Sequence, residues 1–321
     1  MATINVDDVY VLDETGAQVD KVTGLAWKDE GLTEEQAAQA RANIRAGGSN
    51  RNLLDNGWFA DGAVVNQRGV TSGDYATRVY RMDRWYTSYG ANPTGRWELS
   101  NQGLTMDLVG YSNSRGWFVQ NLDNPSRLVG KTVTGSIMMS DGTIYSGTGV
   151  VSSSPTTLTY FCIYPDFQIY YSTQYGFNIV CNKDYTITVK AVKLELGPYS
   201  TLANDVPPDY GTELFKCQRY FTRWYSTSGS SAIGVALAIG TTSANFALLS
   251  NLRAEGSTTI SFTGLTLSDG TVANAVTNVA VAGAGDGKSM RLLVTSSNLV
   301  AYRPYILQMA AGGYLDVSKD L

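Results

Sequence analysis

The sequence predicts a mainly β protein in which a short N-terminal helix precedes two β-sandwich or jelly-roll domains. Three observations lead there. Charged residues make up only 16% of the 321 residues, where an average domain has about a quarter, while glycine (33) and tyrosine (20) are abundant. Short apolar runs alternate with period two and are separated by turn residues about every 8–12 positions, the spacing of sandwiches and barrels. Only one stretch carries a helix start, a helix stop and an apolar stripe at helical spacing.

Residues 1–30 alternate weakly at Ile4, Val6, Val9 and Val11, with turn material at Asp13–Gly16. This reads as one short hairpin, too small to be stable alone, and so as an attachment segment that orders on a partner. The helix follows within residues 31–48. Thr33 is its N-cap, Gln36 completes a capping box, and Glu34 and Glu35 sit where the helix dipole favours them. Gly47-Gly48 ends it. Its stripe of Leu32, Ala37, Ala40 and Ile44 is narrow, and so short a helix is unstable in isolation. Several copies packed around an axis would bury it, so self-association is expected.

Strand signals begin at Arg51, with a tight-turn dipeptide at Asn56-Gly57. KTVTGSIMM alternates at Val133, Gly135, Ile137 and Met139, and TTLTYFCIY is apolar on both faces from Tyr160 on. YTITVKAVKLEL keeps period two from Tyr185 to Ala191, then switches phase to Val192, Leu194 and Leu196, which predicts a β-bulge. Residues 49–205 thus read as one sandwich of roughly eight to ten strands. The stretch Ala191–Phe221, punctuated by Pro198, Pro207 and Pro208, reads as the hinge to a second, smaller sandwich over 206–321. There IGVALAIG alternates at Ile233, Val235, Leu237 and Ile239, with glycine and alanine on the other face. Strands this rich in small residues favour burial in an oligomer.

Composition excludes several chemistries. The absence of histidine removes Ser-His-Asp and Cys-His catalysis and histidine zinc sites. Cys162, Cys181 and Cys217 lack metal spacing and read as buried reduced thiols; no metal and no cofactor is expected. A net charge of −4 without a basic stripe argues against nucleic acid. No apolar run approaches ~18 residues, so no membrane insertion is expected. MATINVDDVY does not read as a signal peptide, which points to assembly in a cytosol.

Several runs carry a resemblance. LTEEQAAQARANI resembles the helical segments that precede globular tips in trimeric virion fibres, a segment also shared by head fibres. NLLDNGWF…NQRG (52–69), Y…DRW (80, 83–85), residues 117–142 and AVKLELG (191–197) resemble the carbohydrate-module-like domain of phage tail-fibre and related receptor-binding proteins. KCQRYF (216–221) and the ending YILQMAAGGYLDVSKDL resemble the tip domain of such fibres. The resemblance implies a homotrimeric phage tail fibre, located in the virion and assembled in the host cytoplasm. Its N-terminal segment would contact other virion proteins, and its displayed domains would bind a host surface glycan during adsorption. The alternative is a head fibre, capsid-decorating or baseplate structural protein without a specific glycan ligand. Modules of this kind often hold a structural calcium, but no Asp-rich loop supports one here.

Two aromatic clusters are candidate glycan sites, because tyrosine and tryptophan stack on sugar rings while nearby polar groups bond the hydroxyls. The first holds Tyr86, Tyr89 and Trp97, next to Arg84 and Trp85. The second is YPDFQIYYSTQYG, read as a loop, with Tyr164, Asp166, Gln168, Tyr170, Tyr171 and Tyr175. Trp58, Trp85 and Trp117 read as core. Arg219 and Arg223 are expected to pair with acidic groups or carbonyls at the domain junction. Among the carboxylates Glu98, Asp107, Asp166, Glu195 and Glu213, no converging pair is legible, and Glu195 reads as outward-facing. No catalytic residue and no enzymatic activity is expected.

Overall fold

The computed structural model describes residues 10–12, 18–21, 50–89, 95–110, 115–249, 252–253, 257–284 and 289–320. The helix expected within 31–48 lies outside the described residues. Of the N-terminal segment, β1 (Tyr10–Leu12) and β2 (Gln18–Lys21) form an antiparallel hairpin.

Residues 50–205 form two six-stranded antiparallel sheets. The first runs β10 (Ile144–Val150), β9 (Thr132–Met139), β14 (Thr186–Leu196), β7 (Gly103–Asp107), β6 (Arg96–Ser100) and β3 (Ser72–Asp74). The second runs β11 (Thr159–Ile163), β12 (Phe167–Ser172), β13 (Gly176–Asn182), β8 (Arg115–Gln120), β5 (Trp85–Tyr89) and β4 (Val79–Met82). One core cluster joins their inner faces: Trp97, Met106 and Ile137 from the first meet Trp85, Phe118 and Phe177 from the second. Period-two alternation produces this, since every second side chain of each strand enters the same layer. Gly135 occupies an inward position of β9 because a Cβ there would lie 2.1 Å from the Phe161 ring, which fills the space instead. The bulge expected in β14 is present, its register shifting between Val189 and Ala191.

Glu195 departs from its expected outward orientation. The turn after β14 folds back over it, so Thr201 donates to it from its backbone N–H (2.8 Å) and from its hydroxyl (2.6 Å), and the carboxylate is fully buried. Lys193 is buried beside it, with Nζ 2.8 Å from Asp205 Oδ1.

The hinge contains a helix that the sequence reading missed, α1 (Tyr210–Cys217). Asp209 caps it by accepting from the Thr212 N–H at 2.8 Å. Prolines and glycine on its N-terminal side masked an eight-residue element too short to show a full apolar stripe. Among the described residues, no helix is long and apolar enough to cross a membrane.

The C-terminal unit is a closed barrel, where a second sandwich was expected. It comprises β15 (Phe221–Tyr225), β16 (Ser231–Ala238), β17 (Ser243–Leu249), β18 (Thr259–Ser268), β19 (Ala273–Ala284), β20 (Ser289–Ser296) and β21 (Pro304–Ser318). The 15-residue β21 closes the ring by pairing with β15 and β16 along one edge and with β18 along the other. The narrow interior takes the small residues: Ala236 and Ala238 are fully buried, while Val235 (64% exposed) and Leu237 (49%) face out. Gly234 leaves room for Phe246, whose ring carbon lies 2.9 Å from where a Cβ would stand.

The two units meet through the KCQRYF run. The Arg68 guanidinium lies 3.8 Å from the centroid of the buried Phe221 ring, and Arg68 pairs with Asp320. Arg223 grips both oxygens of Asp316 at 2.7 and 2.6 Å and donates to the Arg68 carbonyl. Arg219 pairs with Asp123 at 3.0 Å. Arg219 and Arg223 take acidic and carbonyl partners, as expected of them; Arg68 joins the junction beside them.

Candidate functional site

The outer face of the second sheet carries a row of side chains built by register alone. Tyr160, Tyr170, Asn178, Val119, Tyr86 and Tyr80 are directly opposite one another across all six strands. Tyrosines therefore stand at both ends of the row, and smaller residues stand in the middle. The rings pair along it: Tyr160 and Tyr170 have centroids 5.3 Å apart, and Tyr80 and Tyr86 meet edge-on at 5.4 Å.

A concavity of about 240 Å³ opens over the centre of this row. Val119 and Asn178 are buried at its base, and Tyr86, Tyr89, Trp117, Tyr170 and Tyr175 surround them. Trp117, in the next outward row of β8, donates its indole N–H to the Tyr170 hydroxyl at 2.9 Å. That bond fixes both rings and leaves the Tyr170 proton free to donate outward. Burial raises the pKa of Tyr170 above the ordinary phenol value, opposed by the Trp117 hydrogen bond; burial also raises that of Tyr86, opposed by Arg78. Both are neutral phenols at physiological pH, able to give and accept hydrogen bonds. Arg78, Ser88 and Gln174 add polar groups to the lining. The Asn178 side chain donates to the Tyr175 and Gly176 carbonyls at 3.0 Å each, which ties the turn carrying Tyr175 to the sheet.

The structure thus brings together Tyr86 and Tyr89 from one sequence cluster and Tyr170 and Tyr175 from the other. The remaining candidates lie elsewhere. Trp97 is 1% exposed and packs edge-on against Phe118 in the core, so it cannot meet a surface ligand. Tyr171 is fully buried on the inward side of β12. Both are corrected to core residues. Trp97 occupies an inward position of β6; for Tyr171 the cause is that 167–172 is a strand and not a loop, in which Phe167, Ile169 and Tyr171 point inward while Gln168 and Tyr170 point outward. Gln168 is outside the concavity in the row of Val180 and Trp117. Tyr164 stacks on Phe167 and meets Tyr145 edge-on beyond the end of β11. Asp166 is half-buried in the adjoining turn, where its carbonyl accepts from the Asn182 N–H.

Trp117, expected in the core, instead lines the site. Its signal was present in GWFVQ: with Phe118 inward, its neighbour must face out. Trp58 and Trp85 are core as expected. The three cysteines are buried and unbonded, and burial pushes Cys162 up to about 11 and Cys181 up to about 12. Among the described residues, no group of histidine, cysteine or acidic side chains could hold a metal. What this face offers is stacking surface with hydrogen-bond donors and acceptors. No family model matches the chain, and no curated protein or solved structure matches it either.

Proposed function

We propose that the chain is a phage virion fibre protein of the tail-fibre kind, homotrimeric, whose displayed β domains bind a host cell-surface glycan during adsorption. The observation that carries the glycan reading is the tyrosine row of the second sheet with its concavity over Val119 and Asn178. Aromatic faces suit the apolar faces of sugar rings, and the Tyr170, Asn178 and Gln174 side chains suit their hydroxyls. A volume of about 240 Å³, below the usual ~300 Å³ for a drug-sized pocket, suits one sugar residue of a longer chain. In this reading residues 1–30 dock on other virion proteins, and a helix over 31–48 sets the trimer axis. No catalytic step is assigned to either β unit, and the protein acts in the virion after assembly in the host cytoplasm.

The outward apolar residues of the barrel favour a second reading: a head fibre, capsid-decorating or baseplate protein whose β units contact other virion proteins. Binding of the labelled intact protein to a panel of bacteria and isolated surface polysaccharides tests both. Strain-selective binding that free polysaccharide competes away supports adsorption. No binding anywhere, from a folded oligomer, overturns it in favour of the structural role.

A further inference from the structure

A second concavity lies where the segment after α1 packs against the end of the sandwich. Its volume is about 260 Å³, and Arg51, Arg84, Arg127 and Arg219 line it together with Asp55 and Asp123. Four guanidinium groups against two carboxylates leave a positive surplus.

The two carboxylates are already engaged. Asp123 is held by Arg219 at 3.0 Å and by Arg253 at 3.5 Å, and Asp55 by Arg84 at 3.3 Å. Arg51 and Arg127 are exposed at the rim and have no partner among the described residues. Arg84 is only 2% exposed and lies flat on Tyr220, its guanidinium 3.4 Å from the ring centroid. One of its terminal nitrogens donates to the Asn121 carbonyl at 2.7 Å, while the other, Nη1, is buried without an acceptor. A buried charged donor left unpaired is costly, which makes this nitrogen an incomplete half of an interaction. Guanidinium forks match the planar or tetrahedral oxygens of carboxylate and phosphate. Leu53, Leu122 and Leu128 give the cleft an apolar wall on which the carbon skeleton of a ligand can rest.

Asn121 connects this cleft to the aromatic site. Its carbonyl receives Arg84, and its side chain hydrogen-bonds Tyr86. The cleft therefore begins just beyond the strand ends, where Arg84 precedes β5 and Asn121 follows β8, next to the row that holds Tyr86 and Val119. We propose that the arginine cleft binds the carboxylate or phosphate substituent of an anionic glycan whose neighbouring sugar lies on the tyrosine row. This rests on the glycan-binding reading and specifies its ligand as acidic.

The test is calorimetry on the intact protein with inorganic phosphate, glucuronate, methyl glucoside, and an acidic and a neutral bacterial polysaccharide. The expected result is millimolar binding of phosphate and glucuronate, weakened by salt, and tighter binding of the acidic polymer. Arg51→Ser with Arg127→Ser, both exposed, should weaken all three about tenfold with an unchanged melting temperature. Phosphate and glucuronate binding without acidic polysaccharide binding would reduce the cleft to a small-anion site and overturn the proposal. So would polysaccharide binding that the double variant leaves intact, although adsorption through the tyrosine row would then still stand. Acidic polysaccharide bound through the cleft, with no binding to any cell, would support the cleft and sink the adsorption role.

Discussion

The indole N–H of Trp117 on β8 donates to the phenol of Tyr170 on β12 across the intervening strand β13. Two residues 53 positions apart thereby form one rigid aromatic corner on the solvent side of the sheet. A pre-set aromatic surface loses little conformational entropy when a ligand lands on it.

Tyr170→Ala combined with Tyr175→Ala should therefore abolish strain-selective cell binding while leaving the melting temperature nearly unchanged, because both rings are on the outer face. Trp117→Phe keeps an aromatic ring but loses the bond to Tyr170, and should weaken binding by about 1 kcal/mol, in the range of one hydrogen bond. Tyr171→Ala is the contrast: its ring is in the core, and the substitution should cost about 3–5 kcal/mol of stability in urea titration. Lost cell binding from Tyr171→Ala at unchanged stability would contradict this placement.

Legibility followed the range of the interaction. The β14 bulge was visible because a phase flip between Ala191 and Val192 is a local event in the sequence. Tyr171 was misplaced because Gly, Ser and Gln around it suggested a loop and hid a period-two pattern. Barrel closure depends on β21 pairing with β18 about 50 residues away, which no local pattern encodes. IGVALAIG showed a strand but not its inside: both faces are apolar, and only the narrow barrel decides that Ala236 and Ala238 go in. The aromatic site assembles by register across six strands, so sequence offered its pieces in two separate clusters.

The Asp83 carboxyl links stability to pH. It is fully buried at the junction, and burial outweighs the Gln67 hydrogen bonds and the nearby Arg68, raising its pKa to about 6, with Asp320 adding to the rise. Between about pH 4 and 6 the folded protein keeps a proton that the unfolded chain has released, so stability should fall as pH rises through that window and level off above it. The total is on the order of 2–3 kcal/mol. Asp83→Asn should flatten this slope and raise stability at pH 7.5. Urea titrations across pH 4–8 check it, and an identical slope in wild type and variant would discard the assignment.

Lys193 holds the turn after β14 through Asp205 at 2.8 and 2.9 Å and Thr201 at 2.8 Å, with Glu195 3.9 Å away, all at or beneath the surface. Lys193→Met removes the cation and leaves the buried Glu195 carboxylate with its Thr201 hydrogen bonds but without the Lys193 charge beside it, at a cost of about 3 kcal/mol. Adding Glu195→Gln should recover part of that loss, since the remaining group no longer carries charge. A double variant as unstable as the sum of the singles would show that the two do not interact.

The barrel exterior bears on the proposed trimer. Val235 (64% exposed), Leu237 (49%) and Ile239 (45%) face solvent along and just beyond β16, and Ile306 (39%), directly opposite Val235 on β21, adjoins them. Contiguous outward apolar residues of this kind mark contact surfaces. The intact protein should scatter light at three times 34.6 kDa. Leu237→Asp should lower that mass at micromolar concentration while the barrel stays folded, because this side chain does not enter the interior. Ile44→Asp should do the same if residues 31–48 carry the proposed trimer contact. Wild-type protein scattering as a single 34.6 kDa chain would remove the trimer.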